Sequence, residues 1–381
     1  MRTSLILTIL FLADLSALAG KWIDPPARTP SGFPVPAPDR RPEPPAAHGA
    51  HREYMIEWWY WVGHLTTDDG EPLGFQSTVF RRAAGPGEGG EPDRSAFGKQ
   101  HLFLAHGALS ELGRGEFSHQ QQLFREGWQA RAESGRLGLR VGMIAAAEAD
   151  GGFDLTMRLK GGRKLTLRLV PEKPLVSFGE RGLSRKGADP ASVSWYWTYP
   201  RLRATGTLRR DGRDVAVKGL AWMDHEISSS QLSAGLAGWD WTCMHLDDGT
   251  EVKAYRLRTK SGGSDPWSAV YWVDADGGTR SVHADAMNWK ENSWWTSPQT
   301  GIRYPTAVTV TATDPRDGGS RVYQLRPRLA AQELGTCAEA NPYWEGACEV
   351  FDERGRRLGL AYLELAGYGG GLAAQLGGAG G

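Results

Sequence analysis

The chain has 381 residues, and its 44 Lys and Arg are balanced by 44 Asp and Glu, so its formal net charge is zero. A neutral chain has no basic field that would attract nucleic acid, and we expect no nucleic-acid partner. The 50 Gly and 22 Pro favour many turns over long helices, which indicates an all-β protein. The 16 Trp, 11 Tyr and 11 Phe supply a large apolar surface with polar edges, which needs a use in the folded protein.

Residues 1–19 have the pattern of a cleavable secretory signal. Arg2 precedes an apolar run from Leu5 to Leu12, and the segment ends in small residues before Gly20. The run is too short for a membrane span, and no other stretch of the sequence is long and apolar enough for one. We therefore expect a secreted or periplasmic protein with no integral membrane span.

The segments that follow the signal differ in composition. Residues 20–50 include nine prolines, which is typical of either a disordered linker or an extended strap across the surface. Residues 153–169 alternate apolar and polar side chains on both sides of a Gly-Gly pair, and this pattern predicts a β-hairpin. Residues 137–148 are the one helix candidate, weakened by glycines. Residues 369–381 are nearly all Gly and Ala and predict a flexible tail.

One sequence unit occurs twice at a constant offset of 181 residues. The stretch 58–65 (WWYWVGHL) aligns with 239–246 (WDWTCMHL), and each copy leads into an Asp-Asp-Gly turn and a second strand-like run. So long an offset suits two similar β domains in tandem, which we place at residues 51–210 and 211–368. A closed barrel of about eight strands can hold one small ligand, so two antiparallel barrels would give the aromatic residues a use.

Familiar enzyme motifs are absent from the sequence. It has no His-Glu-x-x-His zinc motif, no Gly-x-Ser-x-Gly nucleophile motif and no P-loop, and we expect neither a metal nor a cofactor. Cys337 and Cys348 are close in sequence and are candidates for a disulfide, which would leave Cys243 unpaired. Spacing alone does not decide whether the two cysteines pair.

The best candidate for chemistry is a compact set of ionisable residues at Asp224, His225 and Glu226, next to Trp222 in an apolar run. In an extended strand, Trp222, Asp224 and Glu226 face one way and His225 faces the other. Two carboxyl groups beside an indole are desolvated and close together, so the pKa of one should rise. A protonated carboxyl group of this kind can protonate an alkene, and aromatic faces such as those of Trp239 and Trp241 would stabilise the resulting cation. The alternative is a structural hydrogen-bond network at a domain junction.

Motifs along almost the whole chain resemble those of the AttH / carotenoid 1,2-hydratase family. The matching stretches are His48 to His51, Glu57 to Tyr60, Gly219 to Glu226, Gly238 to Trp241, Tyr343 to Gly346 and Ala361 to Leu365. The resemblance implies two lipocalin-like β-barrel domains and, in the characterised hydratases, addition of water to the terminal double bond of acyclic carotenoids without a cofactor.

The resemblance also implies which residues form the site. The family's Asp-His-Glu motif falls on Asp224, His225 and Glu226, and Tyr255 matches a tyrosine that takes part further on. In the hydratases an aspartate that donates the proton follows this tyrosine, whereas here Arg256 and Leu257 follow. We predict that five aromatic residues bind the ligand: Trp58, Tyr60, Trp222, Trp239 and Trp241.

Three kinds of function remain open from the sequence. The protein is a secreted hydratase that acts on an isoprenoid or similar alkene, a periplasmic carrier of a hydrophobic small molecule, or an envelope scaffold that uses surface aromatics as an interface. The oligomeric state is not predicted.

Overall fold

The computed structural model describes residues 22–86, 101–335 and 341–372, and these fold almost entirely into β-strands and their connections. The strands form two antiparallel sheets, one curled into a nearly closed barrel and the other into a half-barrel. The prediction of an all-β protein with two lipocalin-like domains is confirmed. None of the described helices is long and apolar enough to cross a membrane.

The first sheet has 13 strands. In chain order they are β1 (Ile56–Thr67), β2 (Pro72–Arg82), β3 (Leu102–Glu111), β4 (Glu116–Arg125), β5 (Ala130–Ala132), β6 (Gly138–Val141), β7 (Ile144–Ala149), β8 (Gly152–Arg158), β9 (Lys164–Pro171), β10 (Val176–Ser177), β11 (Leu183–Arg185), β12 (Val193–Arg210) and β13 (Arg213–Ser228). The spatial order is β4-β3-β2-β1-β13-β12-β9-β8-β7-β6-β5, and β10 and β11 pair with β12.

The second sheet has ten strands. They are β14 (Leu236–Leu246), β15 (Glu251–Thr259), β16 (Ala269–Val273), β17 (Thr279–His283), β18 (Met287–Thr296), β19 (Arg303–Thr313), β20 (Ser320–Pro327), β21 (Glu333–Leu334), β22 (Tyr343–Phe351) and β23 (Arg357–Ala366). The spatial order is β17-β16-β15-β14-β23-β22-β20-β19-β18, and β21 pairs with β22.

The repeated sequence unit forms the same structural unit in both sheets. The first copy is β1 and its hairpin partner β2, and the second copy is β14 and its hairpin partner β15. On its other side, each first strand pairs with the last strand of its own sheet, β13 or β23. The twin strands therefore occupy equivalent places in the two sheets.

Side chains fill the space that each curled sheet encloses. The predicted hairpin at 153–169 is β8 and β9, and its alternating apolar residues, such as Phe153, Leu155 and Leu167, belong to the first core. The second core holds residues such as Val308, Val310 and Trp344. Alternation predicts these cores because every second side chain of a strand faces the same way.

Two local features differ from the sequence-based expectations. Residues 137–148 form most of the β6–β7 hairpin rather than a helix, because Leu139, Val141, Ile144 and Ala146 pack into the first core. The boundary expected at 210/211 falls in the turn between β12 and β13, which pair along most of their length. The chain passes from the first sheet to the second between Ser228 and Leu236 instead.

The described part of the Pro-rich segment, residues 22–50, packs along the first sheet as a strap. Phe33 and Val35 are buried, and the carbonyl oxygen of Ala37 accepts a hydrogen bond of 2.8 Å from the Trp195 indole. The His48 carbonyl oxygen accepts another, of 2.9 Å, from the Trp59 indole. The segment thus has specific partners on the barrel.

Several predicted features lie outside the described residues. They include the signal at 1–19, residues 373–381 of the tail predicted at 369–381, and Cys337, so the pairing of Cys337 with Cys348 stays a prediction. Cys243 and Cys348 are both buried, and neither forms a disulfide with another described residue.

Each twin strand makes a histidine hydrogen bond to a strand of the other sheet. His64 of β1 donates through Nε2 to the Ala361 carbonyl oxygen of β23 at 2.8 Å. His245 of β14, at the equivalent position, donates to the Pro200 carbonyl oxygen of β12, also at 2.8 Å. Burial lowers the pKa of both imidazoles, to about 4 for His64 and about 3 for His245, so both are neutral in the interface.

Candidate functional site

The cavity that combines aromatic walls with acidic side chains lies between the two sheets rather than inside either barrel. Its volume is about 70 Å³. The lining residues come from β1, β2, β12, β13 and the connection after β11 on one side, from β14, β15, β22 and β23 on the other, and from the connection between β13 and β14. The ligand site expected inside a barrel is therefore displaced to the interface, because core side chains occupy the barrel interiors.

The twin strands supply the aromatic walls of this cavity. Trp58 and Tyr60 of β1 face Trp239 and Trp241 of β14 across the cavity, and the Tyr60 and Trp241 rings meet edge to face at 5.4 Å. The intervening residues Trp59 and Trp61 point into the first core. Strand alternation thus divides the repeated aromatics between a core and a cavity.

Asp224 lies on the cavity wall and is held by three donors. The Tyr196 hydroxyl donates to Oδ2 at 2.6 Å, and the Thr198 hydroxyl and the Trp222 indole donate to Oδ1 at 2.5 and 2.8 Å. Burial raises the pKa of Asp224, whereas the charge of Lys253 and the hydrogen bonds limit the rise. Three donors directed at one carboxyl group favour its ionised form.

Glu226 lies on the same face of β13 and also lines the cavity. Its Oε1 pairs with Lys186 Nζ at 2.8 Å and accepts a hydrogen bond of 2.5 Å from the Ser194 hydroxyl. Asp224 and Glu226 therefore both have the surroundings of acceptors, with donors directed at their oxygens.

The other predicted residues around Asp224 occupy two layers. Tyr255 lines the cavity, and burial raises the pKa of its hydroxyl well above its usual value. Trp222 is fully buried behind Asp224 and meets Trp241 edge to face, so it supports the wall instead of lining it. Leu257, two residues after Tyr255, lines the cavity with an apolar side chain.

A lysine that the sequence reasoning missed lies next to this site. Lys253 is fully buried, and its Nζ lies 3.1 Å from the centre of the Tyr196 ring and 4.1 Å from that of Phe178. Burial lowers the pKa of Lys253 well below its usual value. Cation–π contact with Tyr196 and the charge of Asp224 are its compensating interactions.

His225 faces away from the cavity, as alternation along β13 requires. Its Nε2 donates to Glu57 Oε1 at 2.9 Å, and its ring stacks on Trp59 with centroids 4.8 Å apart. His51 Nδ1 donates to the same oxygen at 3.0 Å, and Arg81 Nε donates to Glu57 Oε2 at 2.9 Å. The structure therefore separates His225 from Asp224 and Glu226, which it brings together.

The cluster of His51, Glu57 and His225 was not foreseen, because His225 lies 168 residues after Glu57 in the chain. Their ligand atoms lie within 4.8 Å of one another, which is close enough to surround a metal ion. The Glu57 carboxylate, however, already faces the Arg81 guanidinium, whose charge holds the pKa of Glu57 well below its usual range despite burial. A second cation here would be repelled by Arg81, so the geometry fits a structural network better than a metal centre.

Two further cavity residues were missed as site candidates, Glu345 of β22 and Glu364 of β23. The family-like motifs contain both, but nothing in one sequence shows that the two strands pair. In the structure the glutamates are directly opposite each other in the antiparallel register. Tyr60 of the first sheet donates to Glu345 Oε1 at 2.5 Å, so this pair is tied to the opposite wall.

Comparison with known proteins places the chain in a family. The AttH-like family model matches residues 35–368, which covers both sheets and the whole cavity. The chain belongs to the AttH-like family. The crystal structure of a putative AttH from Nitrosomonas europaea is similar to it, with 34% identity, a TM-score of 0.78, and coverage of 88% of this chain and 99% of that one.

A second solved structure shares the fold of this AttH-like protein at much lower identity. It is kievitone hydratase from Nectria haematococca, with 13% identity, a TM-score of 0.61, and coverage of 90% of this chain and 97% of that one. A search of curated proteins by sequence gave no match. The family resemblance seen in the sequence is therefore confirmed.

Proposed function

We propose that this AttH-like protein is a secreted hydratase that adds water to a carbon–carbon double bond of an apolar isoprenoid or a similar lipid, without a cofactor. The observation that carries the proposal is the composition of the interface cavity. It places the carboxyl groups of Asp224, Glu226, Glu345 and Glu364 among aromatic walls. A hydratase neighbour with the same fold adds support.

Acid-catalysed hydration makes three demands that this composition meets. A carboxyl group protonates the alkene, and the positive charge develops on the more substituted carbon. The faces of Trp58, Trp239 and Trp241 stabilise that charge in a site with little water. A water molecule then adds to the cation, and a carboxylate accepts the proton that the water releases.

The cavity is large enough to hold only part of an isoprenoid substrate. A volume of about 70 Å³ holds a few water molecules or a short branched group. A whole polyene does not fit without rearrangement of the walls. The proposed substrate therefore inserts one isoprenyl end group, and the rest of the molecule stays outside the cavity.

The experiment that tests the proposal compares the wild type with Asp224→Asn. The purified protein is incubated in ¹⁸O-labelled water with prenyl alcohol, geraniol and an ortho-prenylated phenol, and the products are analysed by mass spectrometry. We expect the wild type to form an alcohol that carries the label. Removal of one acid–base group should lower the rate about 10²- to 10⁴-fold.

The matched control is Glu333→Gln, which changes another buried glutamate that accepts a tyrosine hydroxyl, from Tyr304 at 2.9 Å. Glu333 does not line the cavity, so this variant should keep the wild-type rate. A wild type that binds the probes and returns them all unchanged would contradict the hydratase proposal and favour a carrier.

Secretion is tested separately by expression of the full chain in a Gram-negative host. We expect the protein in the periplasmic fraction, with Gly20 as its first residue by N-terminal sequencing. Full-length protein in the cytoplasmic fraction would contradict a cleaved signal at residues 1–19.

A further inference from the structure

Two glutamates in the cavity are placed where they cannot both be ionised at low cost. Glu345 and Glu364 are directly opposite on neighbouring strands β22 and β23. Side chains at such positions share one face of the sheet, with Cβ atoms about 4.5 to 5.5 Å apart. Glu345 is only 1% exposed, and Glu364 is partly exposed at the cavity wall. Two negative charges at this spacing in an apolar site repel each other strongly.

The partners of these glutamates differ from those of the other two cavity acids. Glu226 has Lys186, and Asp224 has three donors and the nearby Lys253. The Tyr60 hydroxyl donates to Glu345, and the polar groups of Tyr343 and Trp239 favour the ionised forms of Glu345 and Glu364 respectively. Within the described ranges, no lysine or arginine forms an ion pair with either glutamate.

Burial and repulsion act on this pair in the same direction. Burial and the negative charge of Glu364 raise the pKa of Glu345 well above its usual value. Burial, with the charges of Asp224 and Glu226, raises the pKa of Glu364 to about 7. Two opposed carboxyl groups in such surroundings hold one proton between them, as in other carboxyl pairs that share a site.

The cavity also has an acceptor and a donor that no described group satisfies. Glu345 Oε2 and the Trp241 Nε1 hydrogen have no hydrogen-bond partner, although both atoms are buried and both residues line the cavity. A hydroxyl group can accept from an indole and also bond to a carboxyl group. The two unsatisfied groups are therefore available to a hydroxyl in the cavity, such as that of the attacking water or of the product alcohol.

We propose that Glu345 and Glu364 share one proton and are the general acid of the reaction, and that Asp224 is the base; this rests on the proposed hydratase function. The pair transfers its proton to one carbon of the alkene, whose π electrons form the new C–H bond and leave a cation at the other carbon. Water adds to that carbon and gives its proton to the Asp224 carboxylate. Solvent then reprotonates the glutamate pair and deprotonates Asp224, so the net reaction consumes one alkene and one water.

The pH dependence follows from the required protonation states. The acid must be protonated, so the rate should fall as the pH rises through about 7, the pKa of Glu364. Other ionisable groups interact electrostatically with one or both glutamates: Tyr60 of β1, Tyr196 of β12, Asp224 and Glu226 of β13, Asp240 and Cys243 of β14, Tyr343 of β22 and Tyr362 of β23. Lys186 and Tyr255 line the same cavity. His106 of β3 lies behind Tyr343, and burial lowers its pKa to about 3, so it stays neutral in this range.

The experiment measures the proton and the reaction separately. Infrared spectra of the wild type, Glu345→Gln, Glu364→Gln and Glu333→Gln are recorded across the pH range, and the carboxylic-acid C=O band is followed. We expect a part of this band to titrate near pH 7 in the wild type and in Glu333→Gln, and to be absent in Glu364→Gln. The same variants are assayed with prenyl alcohol and geraniol, and both cavity variants should lose about 10²- to 10⁴-fold in rate.

The possible results distinguish the inference from the proposed function. Wild-type rates in both cavity variants, or a band near pH 7 that survives Glu364→Gln, would overturn the glutamate pair as the acid and leave the hydratase proposal standing. Failure of the wild type to hydrate any probe would refute the proposed function, and the inference with it. Circular dichroism of each variant shows whether a lost rate comes with a lost fold, and rescue by Glu364→Asp supports a catalytic carboxyl group.

Discussion

The substitution Glu57→Gln tests whether the cluster behind the cavity stabilises the fold. Glu57 is fully buried and accepts hydrogen bonds from the backbone N–H and Nδ1 of His51, from Arg81 Nε and from His225 Nε2. Glutamine keeps one acceptor oxygen but removes the charge, which leaves Arg81 buried without its counter-charge. Loss of one partner from a buried ion pair costs about 3–5 kcal/mol, and this sets the expected loss in free energy of unfolding.

The assay is urea unfolding followed by tryptophan fluorescence, with Asp154→Asn as the control. Asp154 pairs with Arg168 on the exposed side of the sheet, so its loss should leave the midpoint unchanged. The pKa of Glu57 is depressed from its ordinary 4.5, so its stabilisation is present above that pH and is lost as the pH falls through the folded-state pKa. The difference in free energy of unfolding between the wild type and Glu57→Gln should therefore decrease only at acidic pH. A wild-type midpoint in Glu57→Gln, or a rise in stability with added zinc, would refute the structural reading.

Three further measurements address the interface between the sheets. The pKa values of His64 and His245 are lowered from 6.5 in the folded protein, so below pH 6.5 the unfolded state binds more protons than the folded state. As the pH falls below 6.5, the free energy of unfolding should decrease by about 1.4 kcal/mol per pH unit for each histidine. Urea unfolding of His64→Gln and His245→Gln should therefore show a smaller dependence of the free energy of unfolding on pH. Lys253→Met replaces a buried amine by an apolar side chain of similar length, so thermal unfolding should show no loss of stability. A large loss would contradict the view that burial of this amine is unfavourable. Gly74→Val should destabilise the protein by about 1–3 kcal/mol in urea, because a Cβ there would meet the Ala347 Cβ at 2.9 Å, and an unchanged midpoint would show that the sheets can move apart freely.

Local sequence patterns predicted the β-strands and placed two carboxyl groups of the candidate site on one face of a strand. Alternation placed Asp224 and Glu226 on one side of β13 and His225 on the other, and the repeat identified β1 and β14 as equivalent. Both inferences depend only on the period of two along a strand. The helix expected at residues 137–148 was wrong, because apolar side chains of this segment pack against the first core and the segment forms a hairpin.

Contacts between residues that are far apart in the chain could not be predicted from one sequence. Glu57 and His225 are 168 residues apart in the chain, and Tyr60 and Glu345 are 285 apart, yet each pair forms a hydrogen bond. The direct opposition of Glu345 and Glu364 follows from the register of β22 and β23, which a one-residue slip would abolish. The repeat suggested two filled or hollow barrels, but not that the ligand-sized space would lie between them.

The position of the cavity makes the proposed chemistry a property of the docked sheets. The first sheet contributes Asp224, Glu226 and the Tyr60 hydroxyl, whereas the second contributes Glu345, Glu364 and Trp241. Separation of the sheets would expose all four carboxyl groups to water and remove the desolvation that raises the pKa of the glutamates. The histidine contacts and the close approach at Gly74 hold the sheets together, so a variant that loosens them should lower activity even though it touches no residue of the cavity.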